Sequence, residues 1–266
     1  MRGRKIFNFA GALALVVLAA AGTAAQDFQR SYNLGAGGEV QIANVSGNIE
    51  LKGYEGSALV VSAYKTGRDR DMVEVEDTST QGRVSLRAKY PNSCNNCEAS
   101  VRFEVRVPRA GGLVFEKVTT ASGDIGAEGF SGRMSLSTAS GDVTVRGVGG
   151  QIRAASASGT VRVQEASGTV NASTASGDVE VELTRLEGDG DMSFSSASGD
   201  VRVRMPSNLD ARVSMSTASG DLETNFPLEV KTNRYGPGKR AEGQLGGGTR
   251  LLRLSSASGN VTLKSM

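Results

Sequence analysis

The sequence contains no histidine, no tryptophan and only two cysteines among its 266 residues. Histidine is the commonest general base near neutral pH, so its absence removes the usual acid–base machinery of enzymes. A carboxylate pair could still serve a glycosidase or lyase, and Asp200 or Asp221 near Glu223 is the place to look for one. These acids occupy repeated turn positions, however. The sequence therefore predicts a protein that is not an enzyme.

Aromatic residues make up only 5% of the chain, whereas 35 residues are glycine. This composition is poor material for one compact globular core. It suits a thin stack of repeated units, in which small residues pack and each unit depends on its neighbours.

One phrase recurs seven times: Ser or Thr, then Ala-Ser-Gly, then usually Asp, then an aliphatic segment. The copies begin at Thr120, Thr138, Ser156, Thr174, Ser196, Thr217 and Ser256. The first four are evenly spaced, and a fixed period indicates stacked identical units. Weaker echoes halfway between the copies predict two short strands and two tight turns per unit. The predicted fold is all-β, a parallel β-solenoid of about 18-residue coils.

Apolar and polar residues alternate after each turn, as in Val143-Thr144-Val145 and Val161-Arg162-Val163. Strict alternation is typical of a half-buried strand. Inward positions are predicted to carry aliphatic side chains and a column of small hydroxyls. The outward column reads Thr144, Arg162, Glu180, Arg202, Glu223. Its alternating sign favours coils that stack in sequence order.

The glycine of each phrase is predicted to make a tight corner that needs positive φ or close backbone approach. The acid that follows is predicted to bond the amides of its own turn. These acids are Asp124, Asp142, Asp178, Asp200 and Asp221. The alternative is a weak cation site, because stacked carboxylates repel and Ca²⁺ would relieve the repulsion. Thr160 and Asn260 interrupt the column, so we expect no cofactor, with Ca²⁺ as the lesser alternative.

Residues 1–25 predict a cleaved secretory signal peptide. Arg2, Arg4 and Lys5 precede an apolar run, and Thr23-Ala24-Ala25 supplies small residues before Gln26. The apolar run is too short for a comfortable membrane span. Removing these residues leaves a net charge of −1 and no basic run, so nucleic-acid or anionic-lipid binding has little electrostatic support. The predicted location is periplasm, cell envelope or extracellular space.

Residues 26–109 carry strand signals and a degenerate repeat, and are predicted to form a β-rich cap or the opening of the same solenoid. Residues 110–266 are predicted to hold the regular repeats, with an insertion loop at 226–248. This loop gathers Arg234, Tyr235, Lys239 and Arg240, a chemistry absent from the repeats, and is a candidate partner-binding loop. The alternative is a simple excursion before the last coil.

Cys94 and Cys97 lie in a turn-rich loop between two predicted strands. In an exported chain, such a pair is most simply a local disulfide. A zinc site would need two more ligands, and the chain has no histidine and no third cysteine.

The repeated Thr-Ala-Ser-Gly-Asp-Val phrase, the lead-in Val105-Arg106-Val107-Pro108 and the closing Ser256-Ala257-Ser258-Gly259-Asn260-Val261 carry a resemblance. Over about residues 35–263, the chain resembles a bacterial family of exported β-strand-repeat proteins of unknown function, described as candidate adhesins. The resemblance implies an exported β-solenoid, often associated with the envelope, and offers no catalytic residues. The expected function is a non-catalytic interaction scaffold whose envelope or extracellular partner is unknown. The alternative is a self-associating structural envelope protein.

Overall fold

The structure is a computed structural model that describes residues 26–92, 97–232 and 238–266. Apart from one 3₁₀ turn at Arg70–Met72, its regular structure is all strand, so the all-β prediction is confirmed. The strands are β1 Phe28–Tyr32, β2 Glu39–Ala43, β3 Ile49–Tyr54, β4 Leu59–Thr66, β5 Glu74–Asp77, β6 Arg83–Lys89, β7 Ser100–Pro108, β8 Leu113–Ser122, β9 Ile125–Glu128, β10 Ser131–Ser140, β11 Val143–Arg146, β12 Gly149–Ser158, β13 Val161–Ser176, β14 Val179–Arg185, β15 Met192–Ser198, β16 Val201–Met205, β17 Ala211–Ser219, β18 Leu222–Thr224, β19 Glu229–Thr232, β20 Lys239–Leu245, β21 Leu251–Ser258 and β22 Val261–Ser265.

Parallel pairing joins the strands into two long faces. One face runs β7, β3, β9, β11, β13, β14, β16, β22, β18. The other face runs β6, β2, β8, β10, β12, β13, β15, β21, β17. In the regular part each residue pairs with its equivalent in the next copy of the repeat, as in Val143 with Val161 and Ser140 with Ser158. Each repeat therefore contributes one strand to each face.

The core lies between the two faces and is made of the inward aliphatic side chains. Val143, Val161 and Val179 are fully buried, as are the larger Phe115 and Phe194. Removing these apolar surfaces from water stabilises the stack by about 25 cal/mol for each Å² buried. No unit could bury its inward side alone, so neighbouring coils hold one another in place.

Antiparallel strands cover both ends of the stack. At the N-terminal end, β4 pairs with β7 and β1 pairs with β4, while β5 pairs with β6. At the other end, β20 pairs with β17 and β19 pairs with β20. The insertion at 226–248 is thus more than a loop, because β19 and β20 lie within it.

The expectation that coils stack in sequence order is wrong at the C-terminal end. The β21–β22 coil lies between the coils of β15–β16 and β17–β18. Arg202 is therefore paired in register with Thr262, and Glu223 forms an ion pair with Lys264 at 2.7 Å. The corner residues are equivalent in every copy, so they allow more than one stacking order. The alternating charges of the outward column did not determine which coils are neighbours.

Candidate interaction surface

The repeated phrase forms one corner of every coil, and hydrogen bonds between coils use its residues. The Thr138 hydroxyl donates to the Gly123 carbonyl oxygen at 2.9 Å, and the Gly123 N–H donates to the Ser140 carbonyl oxygen at 2.9 Å. The first hydroxyl of the phrase makes the same bond to a corner glycine in all seven copies. The predicted inward hydroxyls are therefore structural donors, which leaves none of them available as a nucleophile.

Two structural constraints require glycine at the corner positions. Gly141 has φ of +143°, which disfavours any L side chain. A Cβ at Gly141 would also lie 2.2 Å from the carbonyl oxygen of Gly123 in the neighbouring coil. Close stacking of one glycine on the next thus adds to the turn requirement that the sequence indicates.

The acids of the corner bond the next coil, which corrects the expectation that they bond their own turn. The Asp142 N–H donates to Asp124 Oδ1 at 2.9 Å, and the Asp200 N–H donates to Asp178 Oδ1 at 2.9 Å. Asn260 fits the column because its Oδ1 accepts the Asp221 N–H at 2.9 Å. One carboxylate oxygen of each bonded acid is therefore already occupied. Among the described residues, no group of three or more His, Cys, Asp or Glu side chains is placed to hold a metal ion.

Six neighbouring strands carry no carboxylate on their outer surface. They are β10, β12, residues 167–176 of β13, β15, β21 and β17, and we call their outward surface the hydroxyl face. Its small polar side chains include Ser135, Ser137, Thr169, Ser173, Ser193, Ser195, Ser255, Ser214 and Ser216. Its charged residues are Arg133, Arg153, Arg253 and Arg212, all exposed.

The opposite surface has different electrostatics. We call the outward surface of β9, β11, residues 161–164 of β13, β14, β16, β22 and β18 the charged face. There Arg202 forms ion pairs with Asp178 at 2.8 Å, with Glu180 at 3.7 Å and with Asp200. Burial works against ionisation of Asp178, but hydrogen bonds from the Asp200 backbone and from Arg202 outweigh it and lower the pKa of this carboxyl. By contrast, no described carboxylate lies within ion-pair distance of the four arginines of the hydroxyl face.

Shallow depressions cross the hydroxyl face from one end to the other. A depression of about 330 Å³ contacts Arg133 and Arg153, and the next, of about 420 Å³, shares Ser135 and Arg153 with it. A third, of about 660 Å³, shares Ser195 with the second. Neighbouring depressions share lining residues, and we call the three together the trough.

Two residues of the predicted partner-binding loop border this trough. Lys239 and Arg240, at the start of β20, line the largest depression. Lys239 is also ion-paired with Asp221 of the corner column. Arg234 and Tyr235 lie outside the described residues. The residues that sequence reasoning missed are the four arginines of the hydroxyl face, since their unpaired state depends on which strands are neighbours.

A half-buried carboxylate joins the two faces at the N-terminal end. Asp77 on β5 accepts hydrogen bonds from Arg30 at 2.6 Å and Tyr32 at 2.7 Å, both on β1, and from the Ser79 N–H at 2.9 Å. Burial raises the pKa of Asp77, but the hydrogen bonds from Ser79, Tyr32 and Arg30 outweigh it and lower this pKa to about 2. Burial, followed by the bond to Asp77, raises the pKa of Tyr32.

Cys97 is disulfide-bonded, and Cys94 lies outside the described residues, so their pairing stays a prediction. The predicted signal peptide at 1–25 also lies outside them. In the part of the chain that is described, no helix is long and apolar enough to cross a membrane.

Comparisons with known proteins found similar solved structures, three of which follow, and no matching curated protein. A "putative cell adhesion protein" from Clostridium sporogenes is 11% identical, with 90% of this chain and 99% of that chain covered and a TM-score of 0.40. A "putative adhesin" from Bacteroides fragilis is 16% identical, with 90% and 96% covered and a TM-score of 0.36. Another, from Parabacteroides distasonis, is 9% identical, with 90% and 96% covered and a TM-score of 0.40.

A family model for Toastrack DUF4097 matches residues 31–264, which includes every strand except the first three residues of β1 and the last residue of β22. The chain therefore belongs to the Toastrack DUF4097 family.

Proposed function

We propose that this protein is an exported, non-catalytic scaffold of the cell envelope, built as a parallel β-solenoid, that binds a macromolecule in an adhesin-like manner. The observation that carries the proposal is the trough across the hydroxyl face. Arg133 and Arg153 line it without an ion-pair partner among the described residues, and Arg253 lies beside it, in register with the lining residue Ser193. Such a surface offers many directional donors without the convergent acid and base that catalysis needs.

The different contacts of the inward and outward hydroxyls support a non-catalytic function. The inward hydroxyls are donors to corner carbonyls, as Thr174 is to Gly159 at 2.9 Å. The outward hydroxyls, such as Ser173 and Ser195, lie on flat sheet with no histidine anywhere in the chain to activate them. They are suited to hydrogen bonding with a partner.

Residues 26–109 are proposed to begin the solenoid and cover its first end. In support, β2 and β3 pair with β8 and β9. The strands within the 226–248 insertion cover the last coil on the hydroxyl face. The first end is thereby covered on both faces and the last end on the hydroxyl face, while β18 pairs with β22 alone among the described strands.

Photo-crosslinking in cells tests the proposal. A photoreactive residue is placed at Ser195 on the hydroxyl face or, as the matched control, at Thr144 on the charged face, both partly exposed outward positions on central strands. We expect a discrete high-mass adduct at Ser195 and none at Thr144. Equal labelling at both positions, or none at Ser195, would contradict the proposal.

Export is tested separately by protease digestion of intact cells and of cells whose outer layer is opened. The residue pattern of 1–25 supports export. Digestion only after opening indicates the periplasm, and digestion of intact cells indicates the surface. Digestion that requires lysis of the inner membrane would exclude export.

A second candidate function is self-association through strand edges. The observation that favours it is β19, which pairs with no described strand other than β20 and whose Val230 is 46% exposed. An exposed edge strand can pair with another chain. If this function is correct, sedimentation shows oligomers that Val230→Lys dissociates. A monomer at all concentrations would reject it.

A further inference from the structure

We propose that the ligand of the hydroxyl face is an extended acidic polysaccharide lying along the trough. The arginine guanidinium groups would bind its carboxylate or sulfate groups, and the serine and threonine hydroxyls would bond its sugar hydroxyls. This inference rests on the proposed function of the hydroxyl face as the interaction surface.

The spacing of the arginines fits a chain molecule better than a small anion. Arg153 is in register with Asn171 on the next strand, and Arg253 is in register with Ser193. The Ser193 N–H donates to Asn171 Oδ1 at 3.0 Å, which places all four residues in one row across β12, β13, β15 and β21. Three strand steps separate the two arginines, a distance of about 14 Å. Successive charged groups of a polymer that crosses the strands could therefore contact one arginine after the other.

The arginines are available for a ligand because nothing in the described chain competes for them. Arg153, Arg253 and Arg133 form no ion pair, whereas Arg202 on the charged face has three carboxylate partners. Each planar guanidinium presents two parallel donors that match a carboxylate or sulfate. Binding would therefore form charge-assisted bonds without breaking existing ones.

The floor of the trough favours a sugar polymer over a nucleic acid or a membrane. The only aromatic residue on the six strands is Phe194, which is fully buried, so no ring is available to stack on a base. Leu251, 37% exposed, is the only exposed large apolar side chain on these strands, which gives little to insert into a lipid surface. Rows of outward hydroxyls, each both donor and acceptor, match the hydroxyls of a sugar chain.

The surrounding carboxylates mark where the trough ends. Glu116 lines the depression at the N-terminal side, and Glu242 lies on β20 in register with Ser214 at the other side. Asp191 precedes β15, and its Oδ1 accepts the Leu251 N–H at 2.8 Å. The acids of the corner column are about seven residues along the strand from Arg153, or about 23 Å, which is more than two screening lengths at physiological salt. The corner acids therefore do not neutralise Arg153, whereas Asp191 and Glu242 lie nearer to Arg253.

Binding of the purified protein to polygalacturonate tests the proposal, with uncharged dextran as the negative control. We expect saturable binding to polygalacturonate that weakens with added salt, and none to dextran. Replacing both Arg153 and Arg253 with Gln should weaken binding by about tenfold or more, since each bond to a charged group contributes substantially.

The matched control replaces Arg146 and Arg204 on the charged face with Gln. Both are exposed and neither forms an ion pair within the described residues. This variant also replaces two arginines, so it loses the same net charge. We expect its affinity to stay within about twofold of the parent, because the trough is untouched. Equal losses in the two variants would show non-specific attraction and overturn the proposal.

Further outcomes separate the ligand class from the surface itself. Tighter binding to single-stranded DNA or to anionic vesicles than to polygalacturonate would overturn the polysaccharide assignment. Failure to bind polygalacturonate while crosslinking at Ser195 persists would reject the polysaccharide and leave the proposed interaction surface standing. Loss of the Ser195 adduct itself would reject the proposed function.

Discussion

The charged face and the hydroxyl face share one backbone plan and differ in their outward side chains. Both are built from parallel strands, with buried valine, leucine or methionine on the inside. The charged face pairs Arg162 and Arg202 with acids, as in Arg162 with Glu180 at 2.8 Å, while its Arg146 and Arg204 have no such partner in the described chain. On the hydroxyl face, none of the arginines has an ion-pair partner among the described residues. The inward residues thus hold the fold, and the outward residues are free to differ.

The largest expected loss of stability is at the corner that both faces share. In Gly141→Ala the new Cβ would meet the Gly123 carbonyl oxygen at 2.2 Å and would occupy a positive φ. We expect a loss of about 3 kcal/mol or more in the free energy of unfolding, measured by urea denaturation. The control is Gly126→Ala on β9, where an added Cβ meets nothing within 4 Å and the change should stay within about 0.5 kcal/mol. Equal effects would show that stacked corners do not hold the two faces together.

The next largest loss of stability is expected at Asp77, where strands of the two faces meet at the N-terminal end. Its pKa of about 2 lies below the ordinary value of 3.8. The ionised carboxylate therefore contributes fully to the free energy of unfolding above pH 3.8, and this contribution disappears as pH falls through 2. Asp77→Asn should therefore lower the free energy of unfolding by about 2 kcal/mol at neutral pH. The difference from the parent should shrink between pH 4 and pH 2. A difference that is constant with pH would contradict this assignment.

Within the hydroxyl face, inward and outward hydroxyls should behave differently. Thr174→Val removes the donor to the Gly159 carbonyl oxygen and should cost about 1 to 2 kcal/mol of unfolding free energy. Thr174→Ser retains the donor and should restore most of that loss. Ser173→Ala, on the outward side of the same strand, should change stability by less than about 0.5 kcal/mol. If both hydroxyls prove equally important, the distinction between structural and surface hydroxyls fails.

The smallest effect separates the arginines of the two faces. Arg202→Gln breaks three exposed ion pairs and should lower the free energy of unfolding by less than about 1 kcal/mol, with the loss reduced in high salt. Arg253→Gln should leave stability unchanged because this side chain has no ion-pair partner in the described chain. Thermal denaturation at low and high salt measures both. A larger loss in Arg253→Gln would mean that this residue is structural.

The sequence predicts the strands well because the inward residues repeat. Val143 and Val161, equivalent residues of successive copies, are partners in register, and the corner glycine identifies every turn. The neighbours of the last coil could not be predicted, because Gly199, Gly220 and Gly259 make equivalent corners that can stack in more than one order. The site was hidden for the same reason. Arg153 and Arg253 are far apart in sequence, and only the insertion of β21 beside β15 places them in one row.

The net charge of the whole chain also did not indicate how charge is distributed over the surface. A net charge near zero argues against anionic partners, yet the positive and negative residues are unevenly distributed. Acids are concentrated at the corner and on the charged face, while Arg133, Arg153, Arg212 and Arg253 occupy strands without any carboxylate. The sequence contains these facts, but assigning outward residues to one face requires the strand pairing.

The difference between the two faces is tested most directly by NMR of arginine side-chain Nε–Hε groups during titration with polygalacturonate. We predict that the signals of Arg153 and Arg253 shift and saturate together, while those of Arg162 and Arg202 do not move. Shifts confined to the charged face, or equal shifts on both faces, would contradict the assignment of binding to the hydroxyl face.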